Sequence, residues 1–201
     1  MSRIVFIVFL FLCTCPLLQA QDVSLPEPVK SGGMPLMEAL SKRQTIRAYA
    51  DRAIGQQTLS NLLWAAYGFN RADKRVVPSA QNRQEIDLYA VLKEGIYFYD
   101  AKANKLLLKA KGDYRKDTGG QDFVAGAPLN LVYVANLDRA SGHDAACVDC
   151  GFISQNVYLF CASEGLATVV RGGINKAGMH KILQLTAHQE VLLAQTVGYP
   201  K

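Results

Sequence analysis

The run Leu129-Asn130-Leu131-Val132-Tyr133-Val134-Ala135 restricts this chain more than any other stretch. It is nearly all apolar and offers no polar face to water, which predicts a central strand buried on both sides. Helices to cover it are legible around it. Pro35 to Lys42 has helical spacing, and Gln57 to Phe69 puts Leu59, Leu62, Leu63 and Ala66 on one face behind a Thr58 cap. Asp144 to Glu164 suits a long helix ending at Gly165, and Lys176 to Leu185 a short one. Further strands are expected at Glu85–Leu92 and Ile96–Tyr99, paired around Lys93-Glu94-Gly95, and at Thr168–Val170 and Val191–Val197. Helices covering a sheet of mixed direction make the fold class α+β.

Residues 1–20 stand apart from this domain. Arg3 precedes the apolar run Ile4 to Leu12, and Pro16 leads to Leu18-Gln19-Ala20, with Gln21 next. A positive start, a short apolar stretch and a small residue at the cut describe a secretory signal peptide. The stretch is too short for a membrane helix, which needs about 20 apolar residues. The expected product is an exported, periplasmic protein. A lipid anchor on Cys13 or Cys15 is the lesser alternative, because large residues precede Cys13 and Pro16 follows Cys15. Residues 21–33, rich in proline and glycine and poor in apolar side chains, read as a flexible leader, and 34–201 as one domain.

Cleavage would remove Arg3 and no acid, leaving the mature chain one unit below the +5 of the full sequence. The basic residues are scattered among acids, with no aromatic-interleaved basic run, which argues against nucleic acid as a partner. A small anionic ligand such as a phosphate accounts for part of the excess. His143, His180 and His188 are dispersed, so no hydrolase triad is legible. Neither a G-x-G-x-x-G nor a G-x-x-x-x-G-K loop occurs, which removes a Rossmann or P-loop nucleotide site.

Two short stretches carry chemistry. Arg43-Gln44-Thr45-Ile46-Arg47 sets two guanidinium groups four positions apart around a hydroxyl, a donor set suited to one phosphate. The plain alternative is a pair of surface arginines. Pro78-Ser79-Ala80-Gln81-Asn82-Arg83-Gln84 is a turn of small residues holding one carboxamide. The adjacent donor and acceptor of that amide match the N3 and O2 or O4 edge of a flavin ring, and small neighbours let backbone approach it. Otherwise Asn82 caps its own turn.

Both stretches resemble signatures of the nitroreductase family of FMN-dependent oxidoreductases, Arg-Arg-Ser-x-Arg and Pro-Ser-Ala-x-Asn-x-Gln. The second is matched in full. The first departs at Gln44 and Thr45, and the threonine keeps the hydroxyl. Ala127-Pro128-Leu129, Asp149-x-Gly151 with Gln155-Asn156, Gly165-Leu166 and Gly198-Tyr199-Pro200 follow in the family's order, so the likeness runs from about Met34 to the last residue. It implies a three-layer α+β sandwich with a mixed, mainly antiparallel sheet, and an intertwined homodimer with FMN at the subunit interface. It also implies an enzyme whose flavin N5 takes and returns hydride from a small organic substrate. Nicotinamide, where such proteins use it, stacks on the flavin, and no side chain is required as an acid. Gly95-Ile96-Tyr97-Phe98-Tyr99-Asp100, with Lys105-Leu106 and Gly112-Asp113, resembles the branch containing the peptide azoline dehydrogenases.

Carried over position by position, the likeness places Arg43, Gln44, Thr45 and Arg47 about the phosphate, and Pro78, Ser79, Ala80 and Asn82 against the ring. Val170, Arg171, Gly172 and Gly173 correspond to the segment beside N5, where a backbone N–H stabilises negative charge on the reduced flavin. Gly172-Gly173 also reads as an ordinary strand-ending turn. Arg171 would be a cation beside the ring, a binder of acidic substrate, or a solvent-facing side chain. Lys201 is the one basic residue left after Gly198-Tyr199-Pro200 to reach the phosphate.

Cys147-Val148-Asp149-Cys150 opens the long helix with two thiols one turn apart. In an oxidising compartment the pair could close into a disulfide, stay as free buried thiols, or exchange with other thiols. Two ligands are too few for zinc. The rivals to a flavin enzyme are therefore a non-catalytic flavin-binding protein and a thiol-disulfide redox protein using Cys147 and Cys150.

Overall fold

The structure is a computed structural model that describes residues 21–201. The expected signal peptide and the Cys13 and Cys15 alternative lie outside the described residues. Seven strands form one sheet in the order β1-β4-β3-β2-β5-β7-β6, where β1 is Val23–Ser24, β2 Ile86–Val91, β3 Gly95–Asp100, β4 Lys105–Lys111, β5 Leu129–Asn136, β6 Ala167–Arg171 and β7 Gln189–Gly198. Every pairing is antiparallel, which corrects the expectation of a mixed sheet. The reason is that no helix crosses between two neighbouring strands in a right-handed βαβ unit. β5 lies inside the sheet between β2 and β7, and its residues from Leu129 to Ala135 have no exposed surface.

Helices α1 (Leu36–Lys42), α2 (Gln56–Tyr67), α3 (Asp122–Gly126), α4 (His143–Glu164) and α5 (Lys176–Ile182) complete the fold. The alternation along β5 feeds two cores. Leu129, Leu131, Tyr133 and Ala135 face Leu62, Leu63 and Ala66 of α2 and Ala146, Ile153 and Val157 of α4. Val132 and Val134 face the opposite way and pack with Met179 of α5. Helix, sheet and helix are the three layers of the α+β sandwich.

Three local readings change. α2 begins at Gln56 with Gly55 as its cap residue, so Thr58 lies inside the first turn and caps nothing. β4 is not legible in the sequence, because Lys105, Lys109 and Lys111 obscure its alternation. The segment 21–33, expected to be a flexible leader, supplies β1 instead. Val23 pairs with Leu106 and Ser24 with Lys105, Leu25 is buried, and the Val29 N–H donates to Asn61 Oδ1 at 2.9 Å. An open edge on β4 gives these backbone groups the partners that their own sequence does not advertise. α4 is long and apolar enough to cross a membrane, but its buried stripe is the floor of the larger core.

Candidate functional site

The basic segment leaves α1 at Arg43 and is pinned to the sheet edge. Ile46 N–H donates to the Thr168 carbonyl at 3.1 Å, and Tyr49 bridges to Pro200. Lys201 N–H donates to the Ala48 carbonyl at 3.2 Å, which brings the last residue next to Arg47 although the two are far apart in sequence. Neither Arg43 nor Arg47 has a carboxylate partner among the described ion pairs. The Arg43 guanidinium lies over the Tyr158 ring, 5.4 Å from its centroid.

Tyr158, on α4, is the residue that joins the parts. Val170 N–H donates to its hydroxyl at 3.1 Å, and the hydroxyl sits 3.1 Å from Thr45 Oγ1. The phenol oxygen accepts from Val170, and a second hydrogen bond, in which either oxygen can donate, joins it to Thr45. This relay ties the hydroxyl of the basic segment to the backbone just before Gly172-Gly173. No residue type in the sequence marked Tyr158. It occupies one more apolar-spaced position of a long helix, and only the packing of β6 against α4 gives its hydroxyl two partners. The relay borders a cleft of about 430 Å³ that Arg43, Gln44, Ile46, Tyr158, Gly165 and Pro200 help to line. A larger cavity of about 710 Å³ lies elsewhere, between β1 and the Asp51–Gln56 loop, and includes none of the sequence-derived site residues. We place the site at the smaller cleft because Arg43, without a carboxylate partner among the described ion pairs, and Tyr158 of the relay both line it.

Gly172 and Gly173 are exposed at the end of β6, and Ile174 N–H turns back to the Gly172 carbonyl at 2.9 Å. They are both a strand-ending turn and a bare backbone edge. Arg171 fills none of the three roles considered for it. Its side chain is 6 % exposed, with Nη1 donating to the Thr118 carbonyl at 2.8 Å, Nη2 to Asn130 Oδ1 at 3.2 Å and Nε to Thr196 Oγ1 at 3.2 Å. Strand alternation puts it on the opposite face from Thr168 and Val170. Burial lowers its pKa from the ordinary arginine value. It is a structural cation that locks β6 and β7 to the Thr118 loop, and Gly119 is small because a Cβ there would lie 2.1 Å from Arg171 Nη1.

The Pro78–Gln84 turn is anchored separately. Ala80 N–H donates to Asp149 Oδ2 at 2.8 Å, and Gln84 N–H donates to Ser79 Oγ at 3.0 Å. Pro78 is exposed, and Gln81, Asn82 and Gln84 all have left-handed backbone, at φ 52°, 56° and 51°. Three such residues within four are costly for non-glycine side chains, a strain that concentrates at functional turns. Asn82 does cap its turn: Nδ2 donates to the Asp73 carbonyl at 3.2 Å, and Oδ1 accepts from Gln84 Nε2 at 3.0 Å. One amide hydrogen and one lone pair remain for a ligand.

Within one chain the two signature stretches do not meet. Tyr158 stands nine positions after Asp149, about 13 Å further along α4 and about half a turn around it. The two residues mark opposite margins of the helix's buried stripe. Between them runs an exposed face carrying Val148, Gly151, Phe152 and Gln155.

The cysteines do not form the redox pair considered above. Cys147, Cys150 and Cys161 are free, with Cys147 exposed and the other two buried. Burial pushes the Cys150 thiol up to about 12 and Cys161 higher still. A resolving thiol must be accessible and ionisable, and Cys150 is neither.

The profile of the Nitroreductase family matches residues 40–199. The chain belongs to the nitroreductase family. A crystal structure of a protein from Ralstonia eutropha JMP134, provisionally named a nitroreductase, is 38% identical, superimposes with a TM-score of 0.85, and each chain is covered over 90% of its length. A protein of Methanocaldococcus jannaschii, also provisionally named a nitroreductase, is 27% identical over 175 residues, spanning 79% of this chain and 88% of that one. The fold is shared with a more distant family structure from Desulfovibrio desulfuricans solved in complex with FMN, at 20% identity and a TM-score of 0.64, covering 84% of this chain and 88% of that one. The nitroreductase-like α+β fold expected from the sequence is thus the one found.

Proposed function

We propose that this nitroreductase-family protein is an exported FMN-dependent oxidoreductase acting on a small organic substrate. The observation that carries the reading is the Val170–Tyr158–Thr45 relay beside two unneutralised guanidinium groups. The residues present suit FMN: Arg43, Arg47, the Thr45 hydroxyl and Lys201 would hold the phosphate, and the exposed Gly172-Gly173 edge and the Pro78–Gln84 turn would meet the ring. When bound, the flavin supplies hydride transfer through N5. The chain's own residues bind, orient and polarise: the arginines neutralise the phosphate, the relay fixes the position of the threonine hydroxyl, and the bare glycine edge offers N–H groups to developing negative charge. Arg171 takes no part.

The complete site needs a second copy. A two-fold axis near Phe152 and Gln155, with the two α4 helices antiparallel, would lay the partner's Pro78–Gln84 turn beside Tyr158 of the first copy. The exposed Val148 and Phe152 on α4, and Leu36, Met37 and Leu40 on α1, give such a homodimer an apolar surface. Export means that soluble NAD(P)H is not at hand, so the substrate itself or another reductant supplies electrons. The likeness to azoline dehydrogenases favours substrate oxidation.

The mature protein, purified and examined anaerobically, is expected to show the visible absorption of bound flavin and to resist bleaching by NADH. Colourless protein that ignores added FMN would falsify the cofactor assignment, and rapid bleaching by NADH would remove the nicotinamide-independent donor.

A further inference from the structure

Glu85 closes the Pro78–Gln84 turn where β2 begins. It has no exposed surface, and neither carboxyl oxygen has a hydrogen-bond partner among the described residues. Its carboxyl lies against that of Asp149 on α4, the same group that accepts the Ala80 N–H. The nearby Arg139 cation favours the ionised form, but among the described residues no donor reaches either carboxyl oxygen. The Tyr67 hydroxyl of α2 is buried without a partner, and Arg75 is stacked on the Tyr67 ring, 4.0 Å from its centroid. Arg139, after β5, commits Nη2 to the Glu85 carbonyl at 3.2 Å and to Asp87 Oδ1 at 2.6 Å, while its Nε is unpartnered.

Two adjacent carboxylates in a dry site repel, and neither can donate a hydrogen bond. One proton answers both problems: a Glu85 O–H donates to Asp149, whose Oδ2 accepts the Ala80 N–H. We infer that Glu85 and Asp149 are a one-proton carboxyl pair that latches the Pro78–Gln84 turn to α4, which makes Glu85 a positioning residue for that turn. The latch does not depend on a cofactor, and its bearing on FMN rests on the reading given above.

Burial, followed by the neighbouring Asp149, holds the Glu85 carboxyl above the usual carboxylate range. The folded chain therefore binds this proton more tightly than the unfolded chain. The latch is fully formed below the ordinary glutamate pKa and weakens as pH rises through the higher folded value, by up to tenfold per pH unit for one proton.

Two readouts on the mature protein without FMN test the latch. At a pH where ordinary glutamates have ionised, infrared spectra of the wild type should retain a protonated-carboxyl band that Glu85→Gln lacks. Hydrogen-exchange protection of the Ala80 amide should fall by up to about tenfold per pH unit in the wild type. It should stay flat in Glu85→Gln, whose amide donates to Asp149 at every pH. FMN retention that follows the same two profiles extends the latch to the cofactor. If the latch behaves as expected while FMN does not bind at all, the cofactor reading fails and the latch stands. Absence of the protonated band, or a variant whose protection falls with pH as the wild type's does, overturns the proposal. Should Glu85→Gln not fold, the wild-type band and pH profile decide alone.

Discussion

A single hydroxyl links the parts of this site that sequence keeps apart. Tyr158 accepts from Val170 and shares a hydrogen bond with Thr45 while its ring carries the Arg43 guanidinium. Tyr158→Phe keeps the ring and the cation contact but removes both hydrogen bonds, leaving the Val170 N–H unpaired. A loss of about 1–3 kcal/mol in urea unfolding is expected, together with weaker FMN retention. Unchanged FMN affinity in that variant would show that the relay does not serve the cofactor. Arg171 teaches the converse lesson. Its position beside Gly172-Gly173 suggested a cation at the flavin, yet the alternation of β6 turns its side chain to the other face, among Thr118, Asn130 and Thr196.

At the scale of elements, α4 organises the molecule. Its buried stripe fills the larger core, and the margins of that stripe hold the basic segment at Tyr158 and the Pro78–Gln84 turn at Asp149. The exposed face between them is apolar at Val148 and Phe152, so a charge placed there tests the proposed pairing of two copies. Phe152→Asp is expected to give a folded monomer by analytical ultracentrifugation that has lost its flavin. A Phe152→Asp protein that stays dimeric, or a monomer that keeps FMN, would rule out a site shared across this face. The long central strand and the longer helices were legible because their apolar spacing is dictated by burial on a fixed period. β5 begins at Leu129 as read, and α4 ends at Glu164 as read. β1 and β4 were not legible. A two-residue strand has no period of its own, and Val23–Ser24 becomes a strand only because the edge of β4 offers it partners.

For the whole molecule, the described chain is one sheet closed between two helical layers, and residues 21–33 are part of it through β1. That bears on export, which rests on residues 1–20 alone. N-terminal sequencing of the protein recovered from its native compartment should begin at Gln21; recovery of a chain beginning at Met1 in the cytoplasm would refute secretion. The family, the α+β class and the stretches proposed to meet FMN follow from the sequence by itself. Each rests on local order: apolar period, the spacing of two arginines around a hydroxyl, and a run of small residues before a carboxamide. Tertiary structure alone decided which of those residues share a cleft, that Arg171 is buried on the far face, and that Glu85 meets Asp149. These outcomes depend on which strands become neighbours and how a helix is rotated against them, and contacts between residues distant in the chain leave no period in the sequence to read.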